Sequence, residues 1–166
     1  MRFARTSLGL VLLASLAALA SLAALAGCGG GTDESTPAAC FEGAGAYEKA
    51  LAAAPGAVEV GGETLISECL TRNQDGGELA QVGEALVEAA TRIDAEARED
   101  PGSQANLALG YLLGAAQRGS EETEGIHSDL LRRLEVAAQF APGKQPLPPE
   151  FRAAYQRGFD AGNENG

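Results

Sequence analysis

The chain has 166 residues, and its 23 acidic residues outnumber its 12 basic ones, which gives a formal net charge of −11 at pH 7. An excess of negative charge this large removes the electrostatic attraction that nucleic acids and anionic lipids exert on basic proteins. We therefore expect neither a nucleic-acid partner nor adhesion of the folded part to anionic lipid. The length suffices for one domain with one hydrophobic core.

The first 27 residues have the pattern of a secretory signal peptide. Arg2 and Arg5 provide a basic start, and residues 8–26 form a run without charge. Such a run is long enough to cross a bilayer, which takes about 17–25 apolar residues, so an uncleaved membrane anchor is the alternative. A stop-transfer segment favours Lys or Arg after the run, whereas three glycines follow this one at residues 29–31. The pattern therefore favours cleavage.

Residues 25–28, Leu-Ala-Gly-Cys, close the apolar run. They match the lipobox, and residues 1–28 resemble the N-terminus of bacterial lipoproteins. The resemblance implies that the thiol of Cys28 receives a diacylglyceryl group and that cleavage before Cys28 makes it the new N-terminus. Two acyl chains anchor a protein stably where one is marginal. The resemblance therefore predicts a protein held by lipid at the extracytoplasmic face of a bacterial cell membrane.

These features divide the chain into four parts. We predict a signal peptide at 1–27, a lipidated Cys28 with a flexible tether at 28–40, one helical domain at 41–162 and a frayed end at 163–166. The tether is rich in Gly, Ser, Thr and Pro and has almost nothing to bury, so we expect the domain to tumble near the membrane. Cleavage removes two arginines and no acidic residue, so the formal charge becomes −13.

The chain has three cysteines. With Cys28 lipidated, Cys40 and Cys69 are an even pair in an oxidising compartment, and we predict a disulfide between them. Such a bond would close a loop of about 30 residues and stabilise the fold by about 3.5 kcal/mol. Two separate buried thiols are the alternative. A structural zinc site would require four ligands at close spacings.

Periodic apolar spacing predicts an all-α domain, a compact bundle of five to six short helices around a buried central helix. Residues 78–98 carry the strongest signal, a continuous apolar stripe at three- and four-residue steps. Residues 105–116 are apolar nearly all round and too few to cross a bilayer, so we predict that they form the central helix. Gly110 and Gly114 lie on one face of it and would permit a close helix crossing.

Further helical segments are predicted at residues 44–54, 63–72, 120–141 and from 151 onward. Residues 58–60 are ambiguous between a strand and an extended loop. The helix at 120–141 is expected to begin with Ser120 as its N-cap. On the last helix, Phe151, Tyr155 and Phe159 share one face, for which we expect packing against the central helix; docking to a partner's groove is the alternative.

His127 is the chain's one histidine, and Glu124 precedes it by three residues. A Glu-x-x-His pair contributes to di-iron sites in helical bundles, but such a site requires a second pair and two further glutamates. A mononuclear metal site formed by Glu121, Glu124 and His127 is a weak alternative. We expect instead that His127 lies at the flank of a helix face and hydrogen-bonds a neighbour or water.

The sequence lacks a catalytic signature. It has no Gly-x-Ser-x-Gly motif to present a nucleophile and no glycine pattern typical of phosphate binding. The carboxylates are expected on outward helix faces, where solvation is their usual role. We therefore expect no enzyme and no cofactor. We predict a non-enzymatic envelope lipoprotein that presents a helical surface to an envelope protein, with binding of a small ligand or metal as the alternative.

Overall fold

Five α-helices and one short hairpin make up residues 35–139 and 148–166, the part of the chain that the computed structural model describes. In chain order they are α1 (Ala44–Leu51), β1 (Glu59–Val60), β2 (Thr64–Leu65), α2 (Gly76–Glu99), α3 (Gln104–Glu122), α4 (Ser128–Ala137) and α5 (Pro149–Asn165). The helices pack together as a compact bundle, so the all-α prediction is confirmed.

Helix α2 is the longest element, about 36 Å at 1.5 Å per residue. It begins after Asp75, whose carboxylate accepts hydrogen bonds from the backbone N–H groups of Gly77 (2.7 Å) and Glu78 (2.9 Å). The predicted apolar stripe is the buried face of the helix, and its buried members include Val82, Leu86, Ala89, Ile93 and Ala97. The periodic signal therefore identified both the helix and its orientation.

Helix α3 is the centre of the bundle. All twelve residues at 105–116 are buried, and the helix contacts α2, α4, α5 and the 3₁₀ turn Ser67–Cys69. The predicted central helix is thus present, although it extends to Glu122. None of the described helices combines the length and apolar character needed to cross a membrane.

Helices α3 and α5 pack through glycines. Gly110 and Gly114 face α5, and Gly158 and Gly162 face α3. A Cβ added at any of these four positions would overlap a backbone carbonyl of the opposite helix, so the two backbones are in direct contact. Gly110 contacts Tyr155 and Gly114 contacts Phe159, so residue numbers increase in the same direction along both helices and the helices are parallel. The expected close crossing at Gly110 and Gly114 is therefore present.

The aromatic row of α5 lies beside this interface. Phe151 is buried, and the partly buried Tyr155 and Phe159 pack against the core. The ring of Tyr155 stacks with both neighbours, at centroid distances of 5.8 Å and 6.5 Å. Burial, with a smaller contribution from the charge of Glu135, raises the pKa of Tyr155 to about 12. The row therefore contributes to the core, as predicted.

The helix predicted at 63–72 is wrong. Gly61 and Gly62 have φ angles of 66° and 90°, and they turn the chain so that β2 pairs antiparallel with β1. Within the ambiguous segment 58–60, Glu59–Val60 thus form a strand. A 3₁₀ turn at Ser67–Cys69 follows the hairpin in place of a helix.

The single helix predicted at 120–141 is also wrong. Ser120 is buried inside α3 and is not an N-cap. The break comes at Glu124 and Gly125, whose φ angles of 60° and 79° are left-handed, and α4 begins only at Ser128. Helix α4 ends at Ala137, so Ala138 and Gln139 are not helical as predicted, and residues 140–141 lie outside the described part of the chain.

Both ends of the domain differ from prediction. Thr36 is buried and Ala38–Phe41 form a 3₁₀ turn, so the fold begins within the segment predicted as tether. At the other end, α5 continues through Asn165 and Gly166 is buried, so the predicted fraying at 163–166 does not occur. Gly166 lies against Ala115 of α3, which extends the glycine interface to this point.

Candidate functional site

The predicted disulfide between Cys40 and Cys69 is present, with a Cα–Cα distance of 5.5 Å. Both residues are fully buried. The bond joins the 3₁₀ turn before α1 to the turn after β2. Beside it, the hydroxyl of Tyr47 donates to the backbone oxygen of Cys40 at 2.9 Å, and burial raises the pKa of Tyr47. The disulfide therefore fixes the entry of the chain into the domain.

The predicted lipidation site, Cys28, lies outside the described residues, as do the signal peptide 1–27 and the first part of the tether. The described chain begins at Ser35, seven residues after Cys28 in the sequence. Thr36 is buried, and its hydroxyl donates to Oε2 of Glu78 at 3.0 Å. Because Glu78 is in the first turn of α2, the tether meets the domain at the Asp75 end of that helix.

A chain of polar side chains connects Thr36 to the turn between α3 and α4. We name Thr36, Gln74, Glu78, Thr123 and His127 the His127 cluster. Nε2 of Gln74 donates to the hydroxyl oxygen of Thr36 at 2.9 Å, and Oε1 of Gln74 lies 3.0 Å from Nε2 of His127. The hydroxyl of Thr123 lies 2.8 Å from Nδ1 of His127. The cluster thus connects the entry of the chain into the domain with the turn between α3 and α4.

These partners assign the tautomer of His127. The amide oxygen of Gln74 can only accept, so Nε2 of His127 carries the hydrogen and Nδ1 accepts from Thr123. On protonation, Nδ1 could donate to Thr123, whose hydroxyl also lies 2.9 Å from the carbonyl oxygen of Gly119. Burial opposes the charge, however, because His127 is 1% exposed, and its pKa is lowered.

The three weak metal candidates are not assembled into a site. Glu121 accepts a hydrogen bond from Gln117, and Glu124 pairs with Arg72 at 3.1 Å. His127 has both ring nitrogens in hydrogen bonds and is buried, not placed at the flank of a helix face as expected. Within the part of the chain that the structure describes, no three His, Cys, Asp or Glu residues are grouped closely enough to hold a metal ion.

The turn between α3 and α4 is held firmly. Arg72 donates from Nη2 and Nε to the carbonyl oxygen of Glu122, at 2.9 Å and 3.2 Å, and from Nη1 to Glu124. These bonds hold the left-handed Glu124 and Gly125 in place. Ile126 follows directly and is 53% exposed. The turn therefore presents a large apolar side chain to solvent on a rigid support.

Ile126 borders a groove between α2 and α4 with a volume of about 220 Å³. We name it the Ile126 groove; it is lined by Gly76, Leu79, Ala80, Ile126, His127, Asp129, Leu130 and Arg133. Asp129 pairs with Arg132 at 2.7 Å, so its charge is compensated locally. The groove has an apolar floor and lies at the Asp75 end of α2.

A second, larger cleft lies between α1 and the hairpin, with a volume of about 540 Å³. Its lining consists of small residues with three charged ones, namely Glu42, Ala46, Lys49, Ala50, Ala53, Ala57, Glu59, Gly61 and Gly62. We name it the alanine cleft. Small apolar side chains together with charged ones are also found at protein-binding surfaces.

Comparison with known proteins gave no match: no family model, no curated protein and no solved structure is significantly similar to this chain. The function must therefore be argued from the residues and their geometry.

Sequence reasoning missed the partners of His127. Thr123 precedes His127 by four residues, a spacing that offered a signal for this one contact. Thr36 and Gln74 are far from His127 in sequence, and nothing in their local pattern predicts burial. Only the assembled fold brings them together.

Proposed function

We propose that this chain is an envelope lipoprotein, anchored through Cys28 at the extracytoplasmic face of a bacterial membrane, whose helical domain binds another envelope protein and is not an enzyme. The disulfide between Cys40 and Cys69 is the main observation that supports the proposal. It uses Cys40 and Cys69 and leaves Cys28, at the lipobox, as the remaining one of three cysteines. Disulfides persist in oxidising compartments, which agrees with export.

The alanine cleft supports the interaction role. Its small side chains leave room for a partner's apolar residues, while Glu42, Lys49 and Glu59 can form polar contacts at its rim. The His127 cluster, by contrast, is poorly suited to catalysis, since both ring nitrogens of His127 already take part in hydrogen bonds. General-base catalysis would require a free ring nitrogen facing a substrate.

Replacement of the anchor residue tests the location. In Cys28→Ser the acyl acceptor is lost, so we expect the protein to leave the membrane fraction or to keep its signal peptide. Cys40→Ser is the matched control, because it removes a cysteine without touching the lipobox and should remain membrane-bound. Membrane association of Cys28→Ser at the normal processed mass would overturn the proposed anchoring.

A thiol count on unreduced, denatured protein tests the assignment of all three cysteines. We expect no free thiol in the wild type, because Cys28 is acylated and the other two are bonded. Cys40→Ser should show one, from Cys69. One free thiol in the wild type would contradict lipidation, and two would contradict the disulfide.

Crosslinking in the cell tests the interaction role. We expect the crosslinked adduct of the wild type to be lost in Ala53→Arg, which fills the alanine cleft with a charged side chain. Ala95→Arg is the matched control, since Ala95 is an exposed alanine on α2 outside that cleft. Equal adducts in both variants would remove the cleft from the interface.

Binding of a small ligand or a metal is the second candidate, and the 540 Å³ volume of the alanine cleft favours the small ligand. A zinc titration of the purified protein tests the metal. Stoichiometric binding that is lost in His127→Ala would support it, whereas we expect none, because a metal would have to displace Gln74 or Thr123 from the ring.

A further inference from the structure

The tether enters the domain at one end of its longest helix. Thr36 bonds Glu78 in the first turn of α2, while the other end of this helix, at Glu99, lies about 36 Å away. Helix α4 begins near the tether end and runs toward the far end, where the backbone oxygen of Gln139 accepts from Arg98 at 3.0 Å. The domain therefore has a tether end and a far end.

The tether is shorter than the domain. Eight Cα–Cα steps separate Cys28 from Thr36, and a fully extended chain covers at most about 28 Å over that number of residues. This reach is smaller than the length of α2. If Cys28 is lipidated, as proposed above, the domain cannot stand on the membrane on its far end, and the tether end stays close to the lipid.

Ile126 lies at this tether end. Thr36 contacts Gln74 and Gln74 contacts His127, in two successive hydrogen bonds of 2.9 Å and 3.0 Å, and Ile126 is the residue before His127. Its side chain is 53% exposed on a turn that Arg72 holds in place. The short tether thus keeps an exposed apolar side chain within reach of the bilayer.

In place of the free tumbling expected from the sequence, we propose that the tether end rests on the bilayer surface, with Ile126 inserted among the lipids and the Ile126 groove facing them. The contact depends on apolar insertion and on the proximity that the anchor imposes, because a mature chain with a formal charge of −13 is not attracted to anionic lipid. Arg72 and Arg132 near the turn are paired with Glu124 and Asp129. Arg133 also lines the groove, but one arginine does not offset the negative net charge of the protein.

Tryptophan fluorescence tests this contact, because the chain contains no tryptophan. The full-length protein, extracted from cell membranes, is reconstituted into phosphatidylcholine vesicles with or without brominated acyl chains, which quench tryptophan on contact. One variant is Ile126→Trp. The matched control is Val136→Trp, which replaces another exposed apolar residue (68% exposed) about 12 Å further along α4.

We expect Ile126→Trp to show blue-shifted emission and a loss of fluorescence in brominated vesicles, and Val136→Trp to show neither. Replacing part of the lipid by phosphatidylglycerol should reduce the loss. Equal quenching of both variants, or of neither, overturns the proposal. So does a blue shift of Ile126→Trp in native membranes without quenching in vesicles, which would identify a protein as the occupant.

The same experiment separates the two proposals. Failure of the protein to incorporate into vesicles, or incorporation with the signal peptide still attached, would overturn the lipid anchor together with the contact that depends on it. Protein that incorporates but leaves Ile126→Trp unquenched would overturn only the contact.

Discussion

The α3–α5 interface is buried, and so are Thr36, Thr123 and His127 of the His127 cluster, yet the two regions are held by opposite means. At the interface, Gly110 and Gly158 let two backbones touch, with no polar side chain between them. In the cluster, long-range order comes from hydrogen bonds such as Thr36 to Gln74 and Gln74 to His127. The interface requires glycines, which have no Cβ atom, whereas the cluster requires polar side chains that form hydrogen bonds.

This difference predicts different sensitivities. Backbones in contact cannot yield to an added methyl group without moving a helix, so the interface should respond to size and not to pH. A hydrogen-bonded cluster can keep its shape while losing a partner, so it should respond to polarity and protonation. The following substitutions test that contrast, from the largest expected effect to the smallest.

Gly110→Ala should have the largest effect. Its Cβ would meet the carbonyl of Tyr155, which is fixed in α5, and we expect a loss of about 3 kcal/mol in the free energy of unfolding. Gly45→Ala is the control, because Gly45 is exposed in α1 with open space around it and should gain about 0.5–1 kcal/mol. Urea unfolding of both variants measures the difference, and similar values would contradict backbone contact.

Gln74→Leu should lower the free energy of unfolding by about 2 kcal/mol. The substitution keeps the approximate volume but leaves the N–H of His127 buried without an acceptor. Gln117→Leu is the matched control, since Gln117 bonds only the exposed Glu121, and its effect should stay within about 0.5 kcal/mol. Equal losses in urea unfolding would show that the amide of Gln74 has no special role.

Acidification should weaken the cluster. Because burial lowers the pKa of His127, the unfolded chain binds a proton more readily, and stability is complete above about pH 6.5 and falls as the pH drops from there toward the folded pKa. The slope for one proton is at most about 1.4 kcal/mol per pH unit. Unfolding measured from pH 7.5 down should show this slope in the wild type and not in His127→Gln, which lacks the chain's one histidine.

The same pH series applied to Gly110→Ala separates the two regions. Its loss of stability should be constant across the range, since no titrating group takes part in that interface. A pH-dependent loss would indicate that the two regions are coupled.

Thr36→Val should have the smallest effect, about 1 kcal/mol, because it removes the hydrogen bond to Glu78 and the acceptor for Gln74 while keeping the shape. Hydrogen exchange at residues 35–40 should become faster. Thr91→Val is the control, since the exposed Thr91 bonds only the carbonyl of Val87 in its own helix. Unchanged exchange in Thr36→Val would mean that the disulfide alone holds the entry of the chain.

Sequence predicts well the parts of the fold that depend on local apolar periodicity and on the number of cysteines. Helix α2 follows from its apolar stripe and α3 from its nearly continuous apolar character. The pairing of Cys40 with Cys69 follows from elimination, because only two cysteines remain once Cys28 is assigned. In each case the deciding information lies in a short segment or in the composition.

The errors arise where tertiary contacts override local pattern. Leu65, Ile66 and Cys69 fit a helical spacing, yet the hairpin turn at Gly61 directs them into a strand and a 3₁₀ turn. The predicted fraying at the end of α5 does not occur. This end is ordered because Gly162 packs on α3, a contact that no local window contains.

The repeat of glycine at positions 158, 162 and 166 was a missed signal. It has the same four-residue step as Gly110 and Gly114, and two matching steps on separate helices predict a pair in contact. The His127 cluster left no comparable trace, because isolated polar residues are common in loops. Its components could be recognised only from the structure.

The position of α5 in the chain has a consequence for biogenesis. The segment that covers the glycine face of α3 is synthesised after α3 and α4, so a nascent chain carries twelve consecutive core residues without their cover until α5 has been made. A chain truncated before Pro149 would leave this face open to water, and we expect it to aggregate or be degraded. If the protein is exported, as proposed above, this delay is useful, since premature compaction would hinder passage through a narrow translocation pore.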